Sequence, residues 1–130
     1  MPAFSSTSRQ RLEECHPDLQ MIFNEVIKYY DCSILCGSRP KDEQNQAVRE
    51  GRSQTPWPRS NHNVDGSKRT TSWAVDVAPY PIDWKDSKGF ALFAGKVLEI
   101  ARRLRSQGKI RYELRWGGDW DSDGNVREHS

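Results

Sequence analysis

What the chain lacks narrows its class first. Only 35% of its 130 residues are hydrophobic, and no apolar run approaches the length that spans a membrane. Residues 1–15 are polar and charged with no apolar centre, so no secretory signal is expected there. The three cysteines, Cys15, Cys32 and Cys36, are an odd number without a disulfide framework, which suits a reducing compartment. Cys32 and Cys36 have the spacing of half a metal site, but no second pair exists, and both are expected to be core thiols. Lysine and arginine total 20 against 18 acidic residues, which leaves no excess from which to build a nucleic-acid face. The mild positive bias favours only a loose approach to an anionic polymer. No repeat or low-complexity linker interrupts the chain, so residues 1–130 are expected to form one domain around one small core, and a monomer.

What is present reads as alternating helices and short strands. Residues 1–9 are expected to fray, with a helical turn starting near Leu12 and ending at the His16-Pro17 step. Pro17 suits the first turn of a second helix, whose stripe is Leu19, Ile22, Phe23, Val26, Ile27 and Tyr30. His16 is expected to start that helix rather than bind a ligand. Cys32–Gly37 reads as a core strand, and residues 42–50 as a polar helix closed by Gly51. A long helix is expected from an N-cap at Ser87 to Gly108, with Phe90, Phe93, Ala94, Val97, Leu98, Ala101 and Leu104 inward. Residues 110–116 alternate Ile110, Tyr112, Leu114 and Trp116 with charged residues, which predicts a half-buried strand. The fold class is α+β, a small mixed or antiparallel sheet with helices packed against it.

The stretch from Ser60 to Trp84 carries the chemistry. Trp73, Val75, Val77 and Pro79 alternate with Ala74, Asp76 and Ala78, so a buried strand is expected to hold a carboxylate. A buried carboxylate costs several kcal/mol unless it is paired, hydrogen-bonded or bound to metal. Two readings satisfy it. Asp76 and His62, from a strand and a polar loop, are two of the three protein ligands of a catalytic zinc; or Asp76 is ion-paired to an arginine and His62 lies on the surface. Arg39, at the end of the Cys32–Gly37 strand, likewise fits either a substrate anchor or a salt bridge to Asp42 or Glu43.

Ser60-x-His62, then Ser72-x-Ala74-Val75-Asp76-Val77-Ala78-Pro79-Tyr80-Pro81-Ile82-Asp83-Trp84, resembles phage endolysins of the zinc L-alanyl-D-glutamate peptidase type, relatives of the D-alanyl-D-alanine carboxypeptidases. The resemblance runs from His16-Pro17-Asp18 to Trp116-Gly117-Gly118-Asp119-Trp120. Gly37-x-Arg39 with Glu43-Gln44 matches a further signature of that family. The resemblance implies that His62 and Asp76 hold one zinc ion, that Arg39 binds the substrate's carbonyl or carboxylate, and that Gln44 and Ser60 line the substrate. Arg69 is an alternative alignment for the metal histidine, but its guanidinium has no lone pair to give. The implied substrate is the peptide stem of peptidoglycan, cut between L-alanine and D-glutamate. The implied location is the infected host's cytoplasm, with release at lysis through a separate pore.

The resemblance breaks at the C-terminal end. The family's terminal strand carries [DE]-x-x-H, which supplies the general base and the third ligand, whereas this sequence ends Glu128-His129-Ser130. Adjacent strand residues point to opposite faces, so Glu128 and His129 do not reproduce both roles. Two expectations follow: a domain truncated before that strand and catalytically weak, or His129 as an improvised third ligand. The rival class is a non-catalytic module that keeps the pocket and binds wall peptides. Asp119-x-Asp121-x-Asp123-Gly124 resembles the start of a calcium loop, but Ser130 stands where the bidentate Glu is needed, which favours a solvated acidic turn.

Overall fold

The computed structural model describes residues 2–66 and 70–116. Among these residues, four helices and two strands follow in the order α1 (Ser6–Glu13), α2 (Pro17–Val26), β1 (Cys32–Cys36), α3 (Lys41–Arg49), β2 (Asp76–Pro79) and α4 (Ser87–Ser106). The class is the expected α+β, with an antiparallel pair as its sheet.

Each helix has a local cause. Ser5 caps α1 by accepting from the Ser8 amide at 3.1 Å, so the first helix begins at Ser6 rather than Leu12. Residues 6–9 of the segment expected to fray belong to that helix, pinned by Leu12 inside and by the Ser8 hydroxyl, which accepts from the Ile34 amide. His16 caps α2 through Nδ1, which accepts from the Asp18 amide at 3.0 Å, and Pro17 occupies the first turn as expected. Asp86, not Ser87, caps α4, its carboxylate accepting from the Gly89 amide. The stop glycines Gly51 and Gly108 both have positive φ, 78° and 74°.

The core lies between α2 and α4 and under the sheet. Leu19, Ile22, Phe23 and Val26 of α2 meet Phe93, Val97, Ile100, Ala101 and Leu104 of α4, with Ile34 and Val77 closing the layer. Leu98, expected inward, is only half-buried, and Ile100 takes its place. No helix among the described residues is long and apolar enough to cross a membrane.

Two strand expectations change. Trp73–Val75 lies outside β2, which begins only at Asp76, and Trp73 is exposed. Residues 110–116 form no strand: the amides of Arg111 and Tyr112 donate to one Asp18 carboxylate oxygen at 2.9 and 3.0 Å instead of to a neighbouring strand. Ile110 still anchors in the core, but Tyr112 turns outward and packs edge-on against His16. Alternation in sequence gave the faces of a strand, but among the described residues no strand pairs with it.

The sheet register positions the site. Cys32 pairs with Pro79, Ser33 with Ala78 and Ile34 with Val77, and then the register slips so that Cys36, not Leu35, stands opposite Asp76. Leu35 is the extra residue of a β-bulge, a device that re-aims side chains at strand ends.

Candidate metal centre

Beyond Cys36 the chain must pass close to α1. A Cβ on Gly37 would overlap the Arg11 carbonyl oxygen, so only glycine fits there. The carbonyl of Gly37 is thereby held where it meets His62 Nδ1 at 2.9 Å. The His62 loop is tied to the same strand end, since the Arg39 amide donates to the His62 carbonyl at 2.7 Å. The Trp73 amide donates to Asn61 at 2.7 Å, fastening the other side of the loop.

A carbonyl only accepts, so Nδ1 of His62 carries the hydrogen and Nε2 presents its lone pair in the neutral ring. That Nε2 lies 3.4 Å from Asp76 Oδ1. A lone pair set against a carboxylate calls for a proton or a cation between them. Two ligand atoms each about 2.1 Å from a tetrahedral zinc stand about 3.4 Å apart, so the observed spacing fits the ion. The backbone contact at Nδ1 is also the usual second partner of a metal-bound histidine.

His62 is buried rather than on the surface, its side chain 1% exposed against 14% for Asp76 and 11% for Arg39. Arg39 Nη2 reaches Asp76 Oδ2 at 3.4 Å. Among the described residues its acidic partner is Asp76, not Asp42 or Glu43, and both readings of Asp76 meet in one place. Burial alone would raise the Asp76 carboxyl, but its contacts with His62 and with the Arg39 guanidinium outweigh it and hold the group below the usual carboxylate range.

Gln44 and Ser60, expected at the substrate, are fully buried. Gln44 Oε1 accepts from Arg39 Nη1 at 3.0 Å and from Asn63 Nδ2 at 3.1 Å, while its Nε2 donates to Ser53 Oγ and the Thr55 carbonyl. Ser60 Oγ accepts from the His62 amide at 3.2 Å. Sequence reasoning passed over Asn63, which also donates to the Arg39 carbonyl and accepts from the Ser60 amide. This buried network holds Arg39 and His62 to one frame. Replacing Gln44 by Leu strands several of its donors and acceptors at once. The expected cost is about 3 kcal/mol, from groups that each lose about 1–3 kcal/mol when left unsatisfied. Urea unfolding in the presence of a chelator measures it.

The second residue missed is Cys36. It was expected in the core, yet it is only half-buried, and its sulfur forms with His62 and Asp76 a group whose ligand atoms all lie within 4.8 Å of one another. Three such donors can hold a metal ion. Two sequence signals pointed to it, its spacing from Cys32 and its place immediately before Gly37-x-Arg39. His129, Glu128 and the Asp119, Asp121 and Asp123 turn lie outside the described residues.

A family described as phage L-alanyl-D-glutamate peptidase matches residues 2–130. The crystal structure of the Serratia marcescens L-Ala D-Glu endopeptidase ChiX is similar at 27% identity and a TM-score of 0.63, over 95% of this chain and 86% of that one. A search of curated proteins finds no match. With the family's match covering nearly every residue, the chain belongs to the phage L-alanyl-D-glutamate peptidases.

Proposed function

We propose that the chain is a zinc-dependent peptidoglycan peptidase that cleaves the bond between L-alanine and D-glutamate in the wall's peptide stem. The observation that carries this is the pairing of His62 Nε2 with Asp76 Oδ1 at zinc-ligand spacing, on a chain of that peptidase family. When bound, zinc would polarise the scissile carbonyl and acidify water. His62 and Asp76 hold it, with Gly37 fixing the tautomer of His62. Arg39 keeps Asp76 ionised and offers its guanidinium beside the cleft, where it orients the substrate's carbonyl or carboxylate. Gln44 and Ser60 act from behind, positioning Arg39 and the His62 loop. The enzyme acts as a monomer, made in the infected cell and delivered to the wall at lysis.

The competing reading is a pocket that binds wall peptide without cutting it. A zymogram on purified wall, run in chelator and then in zinc, separates them. Clearing that disappears in chelator and returns with zinc is expected. Wall binding without clearing at any zinc concentration would establish the binding module instead.

A further inference from the structure

The three thiols have different surroundings. Cys15 and Cys32 are buried, and desolvation pushes both up to about 12, which makes them poor nucleophiles and poor ligands. Cys36 is half-buried, and its sulfur meets the carbonyl oxygens of Gly37 and Ser38 only at 3.7 Å each. Those are long contacts for a weak donor. The sulfur is therefore not committed to the backbone around it.

The bulge supplies an independent observation. In regular pairing Leu35 would stand opposite Asp76, and the extra residue slides Cys36 into that position. Directly opposed residues of an antiparallel pair share a face. Thiol and carboxylate therefore project to the same side, where Asp76 already meets His62. A thiolate and a nitrogen or oxygen ligand on tetrahedral zinc stand about 3.6 Å apart. The group found here, with its atoms within 4.8 Å, needs about an ångström of closure at most to reach that spacing.

We propose that Cys36 is a ligand of the same metal, bound as a thiolate beside His62 and Asp76. The inference rests on the reading that this site holds a metal. Coordination replaces the S–H bond with a sulfur–metal bond and releases the proton to solvent. No electron is transferred. A thiolate and a carboxylate together cancel the charge of a divalent ion. The thiolate also makes the site favour zinc and cobalt over the hard cations that carboxylates alone would admit.

Cobalt(II), titrated into the full 130-residue chain under reducing conditions, reports the ligands directly. The expected spectrum has visible d–d bands together with a near-ultraviolet thiolate-to-cobalt charge-transfer band. In Cys36→Ser the charge-transfer band is lost, the visible bands persist at higher cobalt, and affinity falls on the order of 100-fold, at the upper end of what even outer-shell losses cost. In the unaltered protein, zinc should protect Cys36 from iodoacetamide, while Cys15 and Cys32 stay unreacted with or without the metal. Visible bands with no charge-transfer band, or equal alkylation of Cys36 with and without zinc, would overturn the thiolate ligand and leave the metal reading standing. No cobalt bands at all would remove the metal reading itself. If Cys36→Ser does not fold, the band and the protection in the unaltered protein decide the matter.

Discussion

Asp76→Asn is expected to abolish zinc-dependent cleavage while the chain still folds. The amide keeps the carboxylate's shape and can still accept from Arg39, but it is neutral and a weak ligand. Loss of an outer-shell partner already costs about 10–100-fold in metal affinity, so loss of this ligand should cost more than 100-fold. Competition with a chromophoric chelator measures it. Stability changes in a direction that the charges fix. Asp76 is held below the usual carboxylate range in the folded protein, burial being outweighed by His62 and Arg39. Its contribution to stability is therefore fully present above the unfolded value of about 4 and is lost as pH falls through the folded value. The gap in unfolding free energy between the native protein and Asp76→Asn, measured in chelator, should be widest near neutrality and close in acid. A gap that stays constant into strong acid would mean that Asp76 is not a buried, paired carboxylate.

Arg39→Lys is expected to cut kcat/KM by about 10²–10³, the range for removing one transition-state donor. The arginine does two things from one planar group: Nη2 faces Asp76 at 3.4 Å and Nη1 donates to Gln44 at 3.0 Å. Lysine keeps the charge but brings a single point of donation, so it cannot hold both partners and also present a fork to the substrate. The comparison with zinc affinity separates the roles. If Arg39 served only to neutralise Asp76, the lysine would preserve cleavage nearly in full. Cleavage lost with zinc affinity little changed is the expected pattern for a substrate-orienting group.

Much of this was legible in the sequence, and the failures have physical reasons. Helical spacing marked Leu19 to Val26 and Phe90 to Leu104 because an amphipathic helix needs only its own stripe to be recognised. Residues 110–116 show the opposite case. A strand exists only when another pairs with it, and here the Asp18 carboxylate takes the two amides. A carboxylate amid apolar residues requires a partner, and the resemblance to the endolysin family pointed to His62 as that partner. Cys36 was missed because its position depends on a one-residue bulge at Leu35, and register slips leave no trace in residue type. The resemblance implied a substrate role for Gln44 and Ser60 because both belong to the matched motifs. Both are buried in the hydrogen-bonded frame that holds Arg39 and the His62 loop.

Cleavage of a purified peptidoglycan stem peptide, followed by mass spectrometry, tests the central claim most directly. Zinc-loaded protein should release L-alanine's carboxyl end and a fragment with a new amino terminus on D-glutamate. His62→Ala under the same zinc should release neither. Equal cleavage by His62→Ala, or by the native chain in excess chelator, would contradict a metal peptidase centred on His62 and Asp76.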